Sequence, residues 1–294
     1  MARAHSGDVE IEYDVHSSHD DDPPLVLIAG LGSQLIFFED ALVQGFMDRA
    51  FRVIRLDNRD SGLSSALDEV VDIAAVYAGL PSQSDFVPPY LLSDMASDVI
   101  AVLDDLSLDR AHILGVSLGG MIAQTLAIEH PSRVQSLTLL SSTSGSPEAG
   151  QPSAVALEAL MAPGADPSDR SAVIEADVRS RAVWATTAHY DEDWTREYFA
   201  ACFDRANHPT AMARQMAAVL CAGDRESALA ELDVATLVLH GTDDRLIAPD
   251  GGARLAELIP AAELIELDDM GHDLLPHYWA PIIEAVTQLA IRSR

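Results

Sequence analysis

The sequence predicts a doubly wound α/β fold, in which a mostly parallel sheet carries helices on both faces, and two observations support this prediction. Short apolar runs that do not alternate with polar residues recur along the chain, and such runs are typical of strands covered on both faces. Between them lie longer segments whose apolar residues recur at spacings of three and four, which is the pattern of amphipathic helices. Regular alternation of the two patterns predicts parallel strands joined by right-handed crossovers.

The first predicted strand differs from the others. Over residues 8–15, Val9, Ile11, Tyr13 and Val15 alternate with mostly polar residues, which predicts a half-exposed antiparallel strand at an edge of the sheet. The buried strands are then predicted in order over 25–30, 52–57, 111–116, 137–140, 237–240 and 264–267. Helices are predicted over 91–106, 118–129, 252–259 and 278–291.

Residues 145–230 interrupt this alternation, because they contain no clear strand pattern. They hold five prolines and several Ala-rich helical patches. We therefore predict a helical cap, or lid, inserted over 145–230 into a core formed by 1–144 and 231–294. The insertion contains both cysteines of the chain, Cys202 and Cys221, which we expect to be free thiols in a reducing cytoplasm.

The charge balance indicates which binding partners and mechanisms the chain can have. The chain has 18 basic residues, all of them Arg, against 47 acidic residues, for a formal net charge of −29. We therefore expect the chain to bind neither nucleic acid nor an anionic membrane surface, because binding to either requires clustered cations. The lack of Lys also excludes a Schiff-base mechanism and a Walker-type phosphate loop. No apolar stretch is long enough to predict a transmembrane helix, no signal peptide is visible, and we expect a cytoplasmic protein.

A G-x-S-x-G motif at Gly115–Gly119 carries the strongest chemical signal. It follows the apolar run 111–116 and precedes the predicted helix 118–129, which is the strand–turn–helix setting of a nucleophile elbow. Ser117 would then lie at a helix N-terminus, where backbone N–H groups stabilise developing negative charge. The alternative is an ordinary serine N-cap in a tight glycine turn.

A serine nucleophile needs a base, and the base needs an acid that orients it. After an elbow of this kind the expected chain order is Ser, acid, His, and the two turns after the runs 237–240 and 264–267 supply it. His272 is the predicted base. Asp243 and Asp244 compete as the acid; Asp244 is favoured as the fourth residue of the pattern that begins at Gly241, and Asp243 is expected to bond backbone N–H groups of the turn. No histidine spacing predicts a metal site.

The developing oxyanion needs two backbone N–H donors. The first predicted donor is Leu118, directly after the nucleophile. The second is Leu31 in the glycine-rich loop after the run 25–30, with Gly32 as the alternative. Bulky residues of the insertion, namely Trp184, Trp194, Tyr198 and Phe199, are predicted either to line the substrate pocket or to form the insertion's own small core.

These residues resemble the α/β-hydrolase superfamily in order and spacing over essentially the whole chain. Two further segments, Asp57–Ser64 (DNRDSGLS) and Gly271–Pro276 (GHDLLP), resemble the aclacinomycin methyl esterase type of carboxylic ester hydrolase. The resemblance implies an α/β-hydrolase fold and cleavage of a small-molecule carboxylic ester through an acyl-enzyme on Ser117, with no cofactor. One departure is Ala29, where many relatives have His before the oxyanion-loop glycine.

Other functions remain open on the same scaffold. A C–C bond hydrolase, or a cofactor-free haloperoxidase or perhydrolase, would use the same three residues. A haloalkane dehalogenase or an epoxide hydrolase would have Asp at position 117, so Ser117 disfavours both. A non-catalytic ligand-binding protein of this fold would not need an aligned nucleophile and base.

Overall fold

The computed structural model describes residues 2–79 and 86–293, and its centre is an eight-stranded sheet. The strands are β1 Ala2–Ser6, β2 Val9–His16, β3 Pro24–Ile28, β4 Arg52–Leu56, β5 Ala111–Val116, β6 Val134–Leu140, β7 Thr236–Gly241 and β8 Glu263–Leu267. Their order in the sheet is β1-β2-β4-β3-β5-β6-β7-β8, and the six strands from β4 to β8 in that order run parallel. The mostly parallel, doubly wound fold that the sequence predicts is therefore confirmed.

The N-terminal edge differs from the prediction in one respect. Strand β2 pairs antiparallel with β4, as expected, but β1 covers its other side, so β2 is not the edge strand. Ser6 and Val9 face each other across a two-residue hairpin turn, and Gly7 adopts the positive φ of 60° that such turns favour. Strand β1 could not be predicted because its five residues include no large apolar side chain and only Ala4 is buried.

Helices cover both faces of the sheet and form two separate apolar cores. The core helices are α1 Asp40–Met47, α2 Ile73–Gly79, α3 Leu92–Asp105, α4 Leu118–Glu129, α10 Pro249–Leu258 and α11 Pro276–Arg292. Alternate residues of β3 enter different cores: Val26 and Ile28 pack with α3, α4 and α10, whereas Leu25 and Leu27 pack with α1 and α11. This alternation buries the strand on both faces and accounts for its unbroken apolar sequence.

The chain between β6 and β7 leaves the sheet and forms five α-helices. These are α5 Ala154–Leu160, α6 Arg170–Trp184, α7 Glu192–Arg205, α8 Ala211–Cys221 and α9 Glu226–Leu229. Asp side chains mark the starts of two of them, since Asp169 and Asp191 accept hydrogen bonds from the third following amides. Among the helices that the structure describes, none combines the length and the apolar character needed to cross a bilayer.

Candidate active site

Ser117 occupies a sharp turn between strand β5 and helix α4. Its backbone has φ 56° and ψ −119°, a region that residues other than glycine rarely adopt and that costs about 1–3 kcal/mol. The turn is held because the Ser117 amide donates to Leu140 O (2.9 Å) while Ser117 O accepts from the Gly120 amide (2.9 Å). The hydroxyl of Ser142 donates to the same carbonyl (2.9 Å). The strained serine is thus fixed on several sides, in the geometry of a nucleophile elbow.

The glycines of the motif are required by close backbone contacts. A Cβ on Gly119 would lie 2.0 Å from Ile28 O, and one on Gly115 would lie 2.2 Å from Gly119 O. Any side chain at these positions would therefore push α4 away from β3 or β5. Gly30 lies on the other side of Ser117, where an added Cβ would be 3.2 Å from Ser117 Cβ. The loop after β3 consequently packs directly against Ser117.

Asp244 and His272 form a buried hydrogen-bonded pair. The distance from His272 Nδ1 to Asp244 Oδ2 is 2.7 Å, and the two residues are 9% and 4% exposed. The other carboxylate oxygen, Oδ1, accepts from the amides of Leu246 and Ile247, both at 2.9 Å. The acid is therefore held by its own turn while it holds the imidazole, and the bond at Nδ1 leaves Nε2 to exchange a proton with a substrate or nucleophile.

The ionisation of Asp244 is controlled by opposing effects. Burial alone raises the pKa of this carboxyl group, but the charge of His272 and hydrogen bonds from His240 and His272 outweigh burial and hold the pKa well below its usual range. His240 Nε2 lies 3.5 Å from Asp244 Oδ2 and 2.9 Å from Ile247 O. His240 thus supports the turn that carries the acid, and Asp244 remains a carboxylate at neutral pH.

The neighbouring Asp243 is placed differently. Its residue is exposed, and its amide donates to Met270 O at 3.0 Å. The sequence interpretation gave Asp243 the bonds to turn amides, but the structure shows that Asp244 accepts them. The structure thus brings Asp244, rather than Asp243, to His272.

The loop after β3 contains Leu31 and Gly32, the preferred and the alternative prediction for the second oxyanion donor. The Gly32 amide donates to Gln215 Oε1 (2.8 Å) from helix α8, so this alternative donor already has a partner. Leu31 lies between Gly32 and Gly30, the glycine that contacts Ser117. Leu118 is the first residue of α4, where amides have no intrahelical acceptor. Asn58 fixes the start of the loop by donating to Ala29 O (2.9 Å).

Polar residues of helices α7 and α8 form an ion pair and hydrogen bonds with the segment Asp57–Ser64. The sequence interpretation did not identify these helix residues. Arg205 Nη2 lies 2.7 Å from the buried carboxylate of Asp57, and Gln215 Nε2 donates to Arg59 O and Ser61 Oγ, both at 2.9 Å. No sequence pattern distinguishes these side chains from surface residues, because their partners are about 150 positions away in the chain.

The bulky residues of the insertion are half-buried. Trp194 and Tyr198 stack with ring centroids 6.1 Å apart, and Trp194 also packs against the apolar core of α1 and α11. Burial raises the pKa of the Tyr198 hydroxyl well above its usual range, although the nearby Ser33 of the loop after β3 acts on this pKa in the opposite direction. Trp184 reaches the predicted base through its backbone, since Trp184 O accepts from the His272 amide at 2.7 Å. Their role in a substrate pocket stays a prediction.

Comparison with known proteins identifies the class. Residues 23–276 match the family of the α/β hydrolase fold, and the chain belongs to this family. The RutD protein of Variovorax paradoxus (strain S110), named as a candidate carbamate hydrolase, is 30% identical over 269 residues that cover 89% of each chain. Rhodomycin D methylesterase DnrP of Streptomyces peucetius is 26% identical over 286 residues, 90% of each chain. These relatives confirm the predicted resemblance to α/β-hydrolase esterases and the prediction of a hydrolase.

A solved structure shows the same fold over the whole chain. The enol-lactonase from Burkholderia xenovorans LB400 superposes with a TM-score of 0.76 and 24% identity, covering 99% of this chain and 100% of that one. At this level of identity the likeness concerns architecture alone, so function must be argued from the site.

Proposed function

We propose that this hydrolase cleaves carboxylic esters by a serine mechanism, with Ser117 as nucleophile, His272 as general base and acid, and Asp244 as the residue that orients His272. The observation that carries the proposal is the 2.7 Å bond between His272 Nδ1 and a buried carboxylate that two turn amides fix in place. The three residues follow β5, β7 and β8, and the carboxyl ends of parallel strands lie at one edge of the sheet.

In the first half-reaction, Ser117 Oγ attacks the ester carbonyl while His272 Nε2 accepts the hydroxyl proton. The carbonyl oxygen becomes an oxyanion, which the amides of Leu31 and Leu118 stabilise. His272 then donates the proton to the leaving alcohol, and the acyl group remains on Ser117. The carboxylate of Asp244 stabilises the transient imidazolium, and its bond to Nδ1 keeps the ring in the required tautomer.

In the second half-reaction, His272 removes a proton from water, which attacks the acyl-enzyme. Collapse of the second tetrahedral intermediate releases the acid and returns the proton to Ser117. The sequence of steps needs only the side chains and amides named here, so the proposal includes no cofactor.

Esters are the first candidate substrates because the chain resembles methylesterases, including the Streptomyces relative. Carbamates are the second candidate, because the relative at 30% identity is named for carbamate hydrolysis. The same nucleophile could attack either carbonyl. The rates of hydrolysis of p-nitrophenyl acetate and p-nitrophenyl N-methylcarbamate, measured under identical conditions, distinguish the two substrate classes.

The insertion over 145–230 is proposed as a cap that sets substrate selectivity over the core segments 1–144 and 231–294. Support comes from the half-buried Tyr198 near Ser33 and from the Trp184 carbonyl on His272. The free thiols of Cys202 and Cys221 fit the cytoplasmic location that the sequence predicts.

The deciding experiment compares wild type with Ser117→Ala on p-nitrophenyl acetate and on a serine-directed phosphonate. The variant should fold normally and lose turnover on the order of 10⁴-fold or more, and mass spectrometry should find the phosphonate on Ser117 of the wild type. Ser146→Ala is a control with the same chemical change, since Ser146 lies outside the proposed machinery; it is buried, whereas Ser117 is half-buried. Retention of a large fraction of the rate by Ser117→Ala would refute the mechanism.

A further inference from the structure

The loop that carries His272 packs against three residues of the insertion. These residues, Trp184 to Thr186, begin at the last residue of helix α6, and we call them the α6 exit. Each of the three consecutive residues Gly271, His272 and Asp273 makes a hydrogen bond to the α6 exit. The base of the proposed mechanism is therefore held on the backbone side by a segment far from it in sequence.

The hydroxyl of Thr186 is central to this contact. It donates to Asp273 Oδ1 (2.6 Å) and accepts from the Gly271 amide (2.9 Å). One oxygen atom thus bonds to the residues on both sides of His272. The Thr186 amide adds a bond to Asp273 Oδ2 (2.8 Å). Thr186 is 0% exposed and Asp273 is 6% exposed, so water does not compete for these bonds.

The backbone of the loop at Gly271 lies very close to the backbone of the α6 exit. A Cβ added to Gly271 would lie 2.5 Å from Trp184 O and 2.5 Å from Thr186 N. Because real Cβ atoms do not approach backbone atoms so closely, only glycine allows the α6 exit to reach the loop. The Gly-His-Asp sequence therefore has one function per residue: close approach, proton transfer and anchoring.

From this geometry we propose that Thr186 and Asp273 are positioning residues, which hold the backbone of His272 so that its imidazole bridges Asp244 and Ser117. The inference rests on the proposed function of His272. Asp244 fixes the ring from one end through Nδ1, and the α6 exit fixes the main chain from the other. A ring held only by Asp244 could still move as the loop shifts, whereas two separated attachments restrain both position and tilt.

Thr186→Val tests the proposal, because valine keeps the shape of threonine and removes the hydroxyl. We expect kcat for p-nitrophenyl acetate to fall by about 10- to 100-fold, as a misplaced catalytic group implies, with KM nearly unchanged. Thr186→Ser restores the hydroxyl and should recover most of kcat. Thr187→Val makes the same chemical change at the next, exposed residue and should retain the wild-type kcat. Folded fractions are matched by near-ultraviolet circular dichroism before rates are compared.

Three outcomes would overturn the positioning role. In the first, Thr186→Val keeps the kcat of Thr187→Val while only its melting temperature falls. In the second, Thr186→Ser fails to recover kcat. If Thr186→Val does not fold, Asp273→Asn replaces it in the test, since the side-chain oxygen of the asparagine still accepts one hydrogen bond. The third outcome is that neither variant folds, which would show that the contact serves folding and not the positioning of His272. Ser117→Ala measured alongside separates the two claims, because its activity alone decides the proposed function.

Discussion

Arg214 of helix α8 and Asp60 of the segment after β4 form a buried, two-pronged ion pair. Arg214 Nε lies 2.9 Å from Asp60 Oδ2 and Nη2 lies 2.7 Å from Oδ1, and the side chains are 1% and 0% exposed. The hydroxyl of Tyr90 donates to the same carboxylate (2.7 Å). The ion pair joins helix α8 of the insertion to the segment after β4, so we expect it to stabilise the attachment of the insertion.

Arg214→Gln should lower the free energy of unfolding by about 3–5 kcal/mol, because it leaves the Asp60 carboxylate buried without its counter-charge. Urea denaturation measures the change. Arg170→Gln is the matched control, since Arg170 pairs with Asp204 at 2.7 Å with both side chains about half exposed, and exposed pairs contribute about 0–1 kcal/mol. Equal losses in the two variants would contradict the energetic difference.

Asp244→Asn should reduce turnover by about 10⁴-fold with the fold intact, because an amide favours the wrong imidazole tautomer. Asp243→Asn, an adjacent and exposed control, should lose far less. Both are compared on p-nitrophenyl acetate at equal folded fraction, checked by thermal melts. If Asp243→Asn were inactive and Asp244→Asn active, the assignment of the acid would be wrong by one residue.

Asp244 should also make the fold sensitive to acid. Its pKa lies below the usual range in the folded state, so its stabilising contribution is fully present above the unfolded pKa of about 3.9. The contribution is lost as pH falls from there toward the folded pKa. The free energy of unfolding of wild type minus that of Asp244→Asn should therefore shrink between pH 5 and pH 3, measured by urea denaturation. A difference that stays constant over this range would contradict the direction of the shift.

Cys202 should react slowly with iodoacetamide in the native protein. Burial raises the pKa of its thiol to about 11, so at pH 8 only on the order of a thousandth of it is the reactive thiolate. Mass spectrometry after timed alkylation, compared with protein unfolded in guanidinium, measures the protection. The rate should rise steadily between pH 8 and pH 10. Equal rates in native and unfolded protein at pH 8 would contradict the raised pKa of the thiol.

The pocket prediction is tested by truncating the two stacked rings separately. If Trp194 and Tyr198 contact substrate, Trp194→Ala and Tyr198→Ala should change the ratio of rates on p-nitrophenyl acetate and p-nitrophenyl octanoate, with the fold retained. Tyr77→Ala is a control, because Tyr77 is an exposed aromatic residue outside the insertion. Loss of the fold in both ring variants would assign the two rings to the insertion's own core.

Local signals explain what the sequence could predict. The apolar run from Leu25 to Ile28 predicts a buried strand because β3 packs into two cores. The fold class follows from the recurrence of such apolar runs along the chain. Ser117 is recognisable because strand, turn glycines and helix occur together in one short segment. Gln215 on Gly32 and Thr186 on Asp273 could not be predicted, since each pairing joins positions 87 or more apart and depends on where the inserted helices settle.

The segment from helix α6 to helix α8 is tied to the rest of the chain at two places. Arg214 and Arg205 form ion pairs with Asp60 and Asp57 in the segment after β4, and Thr186 bonds to Asp273 in the loop after β8. A movement of this segment as one rigid body would have to break the ion pairs or displace the loop of His272. We therefore expect any small molecule that passes between this segment and the core to do so through rotations of individual side chains.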